Sequence, residues 1–272
     1  MQEGVFQHLG NITRAMDARQ RRMALVAAGC FIVLLAAAIV FVVLQTTGVL
    51  HPTPTNEAQL AYTRAVTAEA EAVRIAKANG IDPASDSAVI AARADLALAE
   101  IDLGQARSAL DRIKPLAHAD ANNARVRYVY GLALQETGSK RAATDEFAAA
   151  AELAPDTEPE LRRQALAAWG RRLADQGEET QALDKLTQAA LVGPTSAALA
   201  REAADFAREL DDWQQAAYLY TLAAAFQPDD NTVTDALADI TSKHPADAAA
   251  GAAAARQLLG DAMGPAGTVT DD

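Results

Sequence analysis

The chain has 272 residues and a net charge of −12, with half of its residues hydrophobic but only 5% aromatic. Residues 1–22 balance to +2, four arginines against Glu3 and Asp17, so the remainder carries −14, a field that repels phosphate backbones and excludes nucleic acid as a partner. Cys30 is the only cysteine, which rules out an intramolecular disulfide and a multi-cysteine metal site, and the abundance of alanine points to an all-α chain.

Residues 1–22 read as a cytoplasmic segment. Within it Val5, Leu9, Ile12 and Met16 recur at helical spacing, the pattern of a short amphipathic helix on a membrane surface. Met23 to Leu44 is an uncharged apolar run of 22 residues. As a helix it spans about 33 Å, enough for a hydrocarbon core of about 30 Å. It exceeds the roughly 7–15 apolar residues of a cleaved signal peptide, and no small-residue cleavage site follows it. Ala27-Ala28-Gly29-Cys30 resembles a lipobox, but most of the apolar run follows the cysteine, so Cys30 reads as a small apolar residue in a membrane helix. The transmembrane element is therefore placed at 23–50, and Pro52 and Pro54 stop it. Arginines precede the run and only Glu57 and Arg64 follow closely, so the positive-inside rule puts the N-terminus in the cytoplasm. The remainder then lies outside, anchored in the plasma (inner) membrane. Residues 51–86 form a linker and an extra helix over 56–79.

The strongest signal in the rest is internal periodicity. Gly131, Gly138, Ala143, Phe147, Ala150 and Pro155 fall at spacings of seven, five, four, three and five residues. Gly170, Gly177, Ala182, Leu186, Ala189 and Pro194 repeat those spacings, as do Ala204, Asp211, Ala216, Tyr220, Ala223 and Pro228. These positions resemble the signature of the tetratricopeptide-repeat (TPR) family at repeat positions 8, 15, 20, 24, 27 and 32. The resemblance covers about 87–260, with clear repeats at 124–157, 163–196 and 197–230. It implies pairs of antiparallel helices that cross where positions 8 and 20 touch, with position 15 as the turn and position 24 packing across the pair. A degenerate repeat at 87–120 has Ala94, Ala106, Leu110 and Ile113 in register but no glycine at the turn. Another at 231–260 has Ala238 and Ala250 in register and Pro245 at the turn, as suits the ends of a stack. Five extra residues around Thr157-Glu158-Pro159 predict a bulging turn, and 261–272 a disordered tail. The fold class expected is all-α, a TPR-type helical solenoid on an N-terminal single-pass transmembrane helix.

No catalytic constellation is found. His8, His51, His118 and His244 form no ligand pair, and there is neither a phosphate loop nor a serine elbow, so no catalytic residue, metal, cofactor or small-molecule substrate is expected. Asp211-Asp212 and Asp229-Asp230 read as turn and capping residues. Trp169 and Trp213 read as packing residues.

In the family the first helices line a concave groove that takes proteins or peptide segments. The resemblance puts Arg125, Tyr128, Gln135, Gln164, Arg171, Arg201, Asp205 and Arg208 in that groove. Arginine and tyrosine favour binding, and arginine suits an acidic segment. Against this, Arg201, Asp205, Arg208 and Glu209 also fit as ion pairs along one helix face. The carboxylate-clamp pattern of chaperone-binding relatives is not reproduced. The expected function is a membrane-anchored extracytoplasmic scaffold that holds partner proteins. The alternatives are an assembly factor for c-type cytochrome maturation or secretion, or a structural subunit of a stable membrane complex.

Overall fold

The structure is a computed structural model that describes residues 56–263. The segments expected to be cytoplasmic (1–22) and membrane-spanning (23–50), and residues 264–272, lie outside the described residues. Among the described residues no helix is long and apolar enough to cross a membrane.

The described residues form eleven α-helices and no strand. They are α1 (Asn56–Ala78), α2 (Ser87–Asp102), α3 (Ala106–Ala119), α4 (Ala124–Glu136), α5 (Lys140–Leu153), α6 (Pro159–Ala174), α7 (Glu179–Leu191), α8 (Ala197–Glu209), α9 (Trp213–Phe226), α10 (Asn231–Lys243) and α11 (Pro245–Met263). Local chemistry sets where the first helix of each pair begins. Asp86 accepts from the Val89 N–H at 3.0 Å and Asn123 from the Val126 N–H at 3.1 Å, while α6 opens on Pro159.

Five of these helices end alike, α1 among them, with Gly80 at φ 71° and the Ile81 N–H reaching Ala76 at 2.9 Å. Gly104, Gly138 and Gly177 have φ of 75°, 87° and 79°, and Asp211 takes the same left-handed conformation at 59°. At each, the next N–H reaches back to a carbonyl inside the helix: Gln105 to Glu100 and Ser139 to Leu134 at 2.8 Å, Asp212 to Ala207 at 2.9 Å, Glu178 to Leu173 at 3.0 Å. This Schellman closure satisfies carbonyls that the helix end would leave bare. Four turns mark four hairpins: α2–α3, α4–α5, α6–α7 and α8–α9.

The turn at Gly104 corrects the expected first repeat. Counted back from it, the repeat begins at Ile90, three residues after Ser87. Ala97, Ala109 and Ile113 then occupy positions 8, 20 and 24, and each is fully buried. Ala106, expected at position 20, instead opens α3 and is only partly buried. The cause is an extra N-terminal stretch on α2, capped by Asp86, which starts the helix ahead of the repeat. The five extra residues after the second repeat act similarly. They do not simply bulge, because α6 begins at Pro159, four residues ahead of Arg163.

Small residues let the hairpins close. A Cβ on Gly131 would lie 2.7 Å from the Phe147 ring, and one on Gly170 2.9 Å from Leu186 Cγ. Position 8 therefore sits beneath position 24. The expected contacts of Gly131, Gly170 and Ala204 with Ala143, Ala182 and Ala216 leave those alanines buried, but for both glycines the nearest atoms belong to position 24.

The last pair departs from the repeat. Ala238 and Ala250 are exposed, so they do not form a helix crossing. Pro245 does not make a turn; it is the first residue of α11, with His244 alone between the helices. α11 lays Ala248, Ala252 and Ala255 inward, and a Cβ on Gly251 would fall 2.3 Å from the Gln214 carbonyl oxygen of α9. Glycine thus permits near backbone-to-backbone packing of α11 on α9. His244 stacks on Trp213, ring centroids 4.2 Å apart. The helix runs to Met263, three residues into the stretch expected to be a tail.

At the other end α1 covers the first hairpin. Ala65 and Tyr62 pack on Leu96 and Ala99. Glu69 pairs with Arg93 at 3.1 Å and with Arg112 at 3.6 Å, and Arg112 also holds the buried Glu100 at 2.8 Å.

Candidate partner-binding groove

The first helices of the hairpins, α2, α4, α6 and α8, stand side by side and carry the residues expected in the groove. Their neighbour relations are fixed by ion pairs between repeats. Arg125 of α4 pairs with Asp95 of α2, its Nε donating at 3.0 Å. Arg171 of α6 forks onto Glu202 of α8 with both bonds at 2.6 Å. Arg201 of α8 donates at 3.0 Å to Asp230, the cap of α10. Hydrogen bonding to Glu202 holds the Arg171 guanidinium above its ordinary range, offset by partial burial.

Tyr128 lies among these helices. It packs on Phe147 at 5.9 Å between ring centroids. Burial pushes its hydroxyl upward in pKa, countered by Arg171 and reinforced by the charges of Glu160 and Asp102. It is thus close to groups on α2 and α6 at once. Gln164 donates to Glu160 at 3.1 Å, and Gln135 donates to Glu136 at 3.4 Å. Asp205 accepts from Tyr220, whose hydroxyl is pushed far up by burial and by that bond, and Arg208 stands 3.8 Å from Asp205.

Open cavities of about 410, 630 and 550 Å³ follow this face, the first between α1 and α2, the second beside Asp95 and Arg125, the third between α6 and α8. The third brings together Arg171, Arg201 and Asp205. Arg125 lines the first two. Tyr128, Gln135, Gln164 and Arg208 line none of the three.

The structure changes what these arginines do. Arg201 pairs across repeats, whereas the one-helix reading holds only for Arg208 with Asp205. The partners Asp95, Glu202 and Asp230 were missed as site residues. The available signal was an opposite charge about one repeat away, visible once the registers are aligned. Lys185 lies 4.8 Å over the ring of Trp169 and beside a separate cavity with Arg162. Glu146 is held by Arg127 at 2.7 Å.

No protein-family model and no curated protein matches the chain. Solved structures do resemble it. MamA AMB-1 aligns at 17% identity and TM-score 0.47, over 67% of this chain and 96% of its own. TTC0263, a TPR protein of Thermus thermophilus, aligns at 20% identity and TM-score 0.45, over 69% and 96%. PilF of Pseudomonas aeruginosa aligns at 19% identity and TM-score 0.45, over 74% and 94%. The chain's own geometry carries the assignment: four hairpins closed by the same left-handed turn, a small residue under position 24, and a repeat of 34 residues between Gly104 and Gly138 and between Gly177 and Asp211. These features give the described residues the fold of a tetratricopeptide-repeat-like helical solenoid.

Proposed function

We propose that the protein is a membrane-anchored extracytoplasmic scaffold that holds partner polypeptides on its concave face. The carrying observation is that neighbouring first helices are pinned by Arg125–Asp95 and Arg171–Glu202, with open cavities between them. A surface fixed before the partner arrives loses less entropy on binding. Anchoring and orientation rest on the apolar run 23–44 and the arginines ahead of it.

Photo-crosslinking tests the groove. A crosslinking residue replacing Tyr128 in the full chain should give a discrete protein adduct in cells, and one replacing the exposed Asp145 of α5 should not. Adducts only from the 23–44 run would move the interface to the anchor and support the subunit reading. A reporter active only outside the cytoplasm, fused after Asp272, should be active; an inactive one overturns the orientation.

A further inference from the structure

With the first repeat starting at Ile90, positions 6, 9, 10 and 13 of α2 are Asp95, Leu98, Ala99 and Asp102. Their counterparts on α8 are Glu202, Asp205, Phe206 and Glu209. On α8 these four residues look toward the preceding first helix. They line one opening with Arg171, Ala174 and Asp175 of α6, and Arg171 forks onto Glu202. On α2 the same four positions line an opening of about 410 Å³, but the wall across from them is α1. α1 packs on α2 as α3 packs on α4 and α7 on α8, which is the relation of a second helix to the next first helix. Among the described residues no first helix precedes α1. α1 is thus the second half of a repeat whose first half the described residues do not contain.

The opening is shaped for a helix. Ala61, Arg64, Ala65 and Ala68 lie at i, i+3, i+4 and i+7 on α1, and the four residues of α2 lie at the same spacing, so two helix faces meet in a trough. The walls are held in place: Ala65 packs on Leu96 and Ala99, and Glu69 of α1 pairs with Arg93 and Arg112. Apart from Leu98 the apolar lining is all alanine, which lets a third helix approach closely, as Gly131 and Gly170 do in their own hairpins. Arg64 and Asp102 line the trough from opposite walls with no ion pair among the described residues, whereas Asp95 and Arg125 hold each other. Pro52 and Pro54 bar a continuous helix in the residues just ahead of α1.

We propose that the trough between α1 and α2 seats an amphipathic α-helix of a partner protein, which completes the half repeat by standing where its first helix would. This rests on the reading of the concave face as the partner's surface and names the conformation the partner takes there. The seated helix carries a small residue where it crosses α1, as Gly131, Gly170 and Ala204 serve α4, α6 and α8. It sets an acid toward Arg64 and a base toward Asp102, the two charges that the trough leaves without a partner.

The test uses the full chain in detergent. The probe is a fluorescent peptide of residues 159–174, the sequence of α6, which already docks on the equivalent faces of α7 and α8. It should bind, and a photo-crosslinker at position 61 should join it. A scrambled peptide of the same composition, and the peptide with Gly170→Leu, should bind about tenfold or more weakly. In the full chain Ala68→Trp fills the trough from an exposed position and should abolish binding. Ala70→Trp, equally exposed on α1 but outside the trough, should leave it unchanged. In cells the crosslinker at position 61 should give an adduct with a different protein that Ala68→Trp removes. Equal effects of the two tryptophans, or a scrambled peptide that binds as tightly, would overturn the proposal. A peptide of residues 1–22 that outcompetes the probe would make the occupant this chain's own segment, and a dimer of the full chain abolished by Ala68→Trp would make it a second copy; either overturns the assignment to a partner protein. Adducts from position 128 with none from position 61 and no probe binding would overturn the trough and leave the groove reading intact. No adduct from either position would overturn both.

Discussion

Single residues decide how closely the helices meet. Gly170 lies so near Leu186 that even a Cβ would stand 3.1 Å from its backbone nitrogen, which cannot move without shifting α7. Gly170→Leu should therefore destabilise by about 1–3 kcal/mol or more in chemical unfolding. An unchanged unfolding midpoint would mean the helix crossing is elsewhere. Gly138, at φ 87° with open space around its Cβ position, poses a backbone problem and no packing one. Asp211 meets that same backbone demand with a side chain. Among described residues it is the only non-glycine with positive φ, where an L-residue is strained. Asp211→Gly relieves that strain and removes a negative charge near a helix C-terminus, but frees the unfolded chain. The net should be a gain of about 0.5–1 kcal/mol; a loss on thermal melting would show that the aspartate carboxylate stabilises this turn.

Among the elements, α11 was the least legible. Its alanines suit any helix, and nothing in their spacing announces that α9 and not α10 is its main support. The nearest partner follows from Gly251, where α11 meets the α9 backbone. Gly251→Val should lift α11 and expose Ala248 and Ala255, seen as faster amide exchange confined to α10 and α11. Unchanged exchange there would rule out the close approach. The first repeat was misplaced for a related reason. A helix start reads from its cap, Asp86, but a repeat start reads from its turn, Gly104, and α2 begins before its repeat. The three internal repeats were legible because glycine or aspartate at the turn and alanine at position 20 are required residue by residue.

In the whole molecule, the ion pairs between repeats couple the groove to the stack. Exposed pairs of this kind are worth about 0–1 kcal/mol each, so Arg171→Ala with Arg201→Ala should leave the domain folded. The same double variant frees Glu202 and Asp230, which makes the groove more negative. It should weaken binding of an acidic peptide, titrated at low salt. Unchanged binding would show that neither arginine contacts it.

The sequence by itself determined the helices and the turn residues Gly138, Gly177 and Asp211 of the three internal repeats. These follow from caps, turn residues and a fixed period, all of which act within a few residues. The membrane role of 23–44 is a proposal that rests on apolar length alone. Only the tertiary structure decided which charges are spent and which are free. Arg171 and Glu202, or Arg125 and Asp95, lie about thirty residues apart, and such a pair forms only when two helices are packed side by side. The packing also decided that α11 rests on α9, because contact between distant helices is set by shape complementarity across the stack and not by any local preference of the chain.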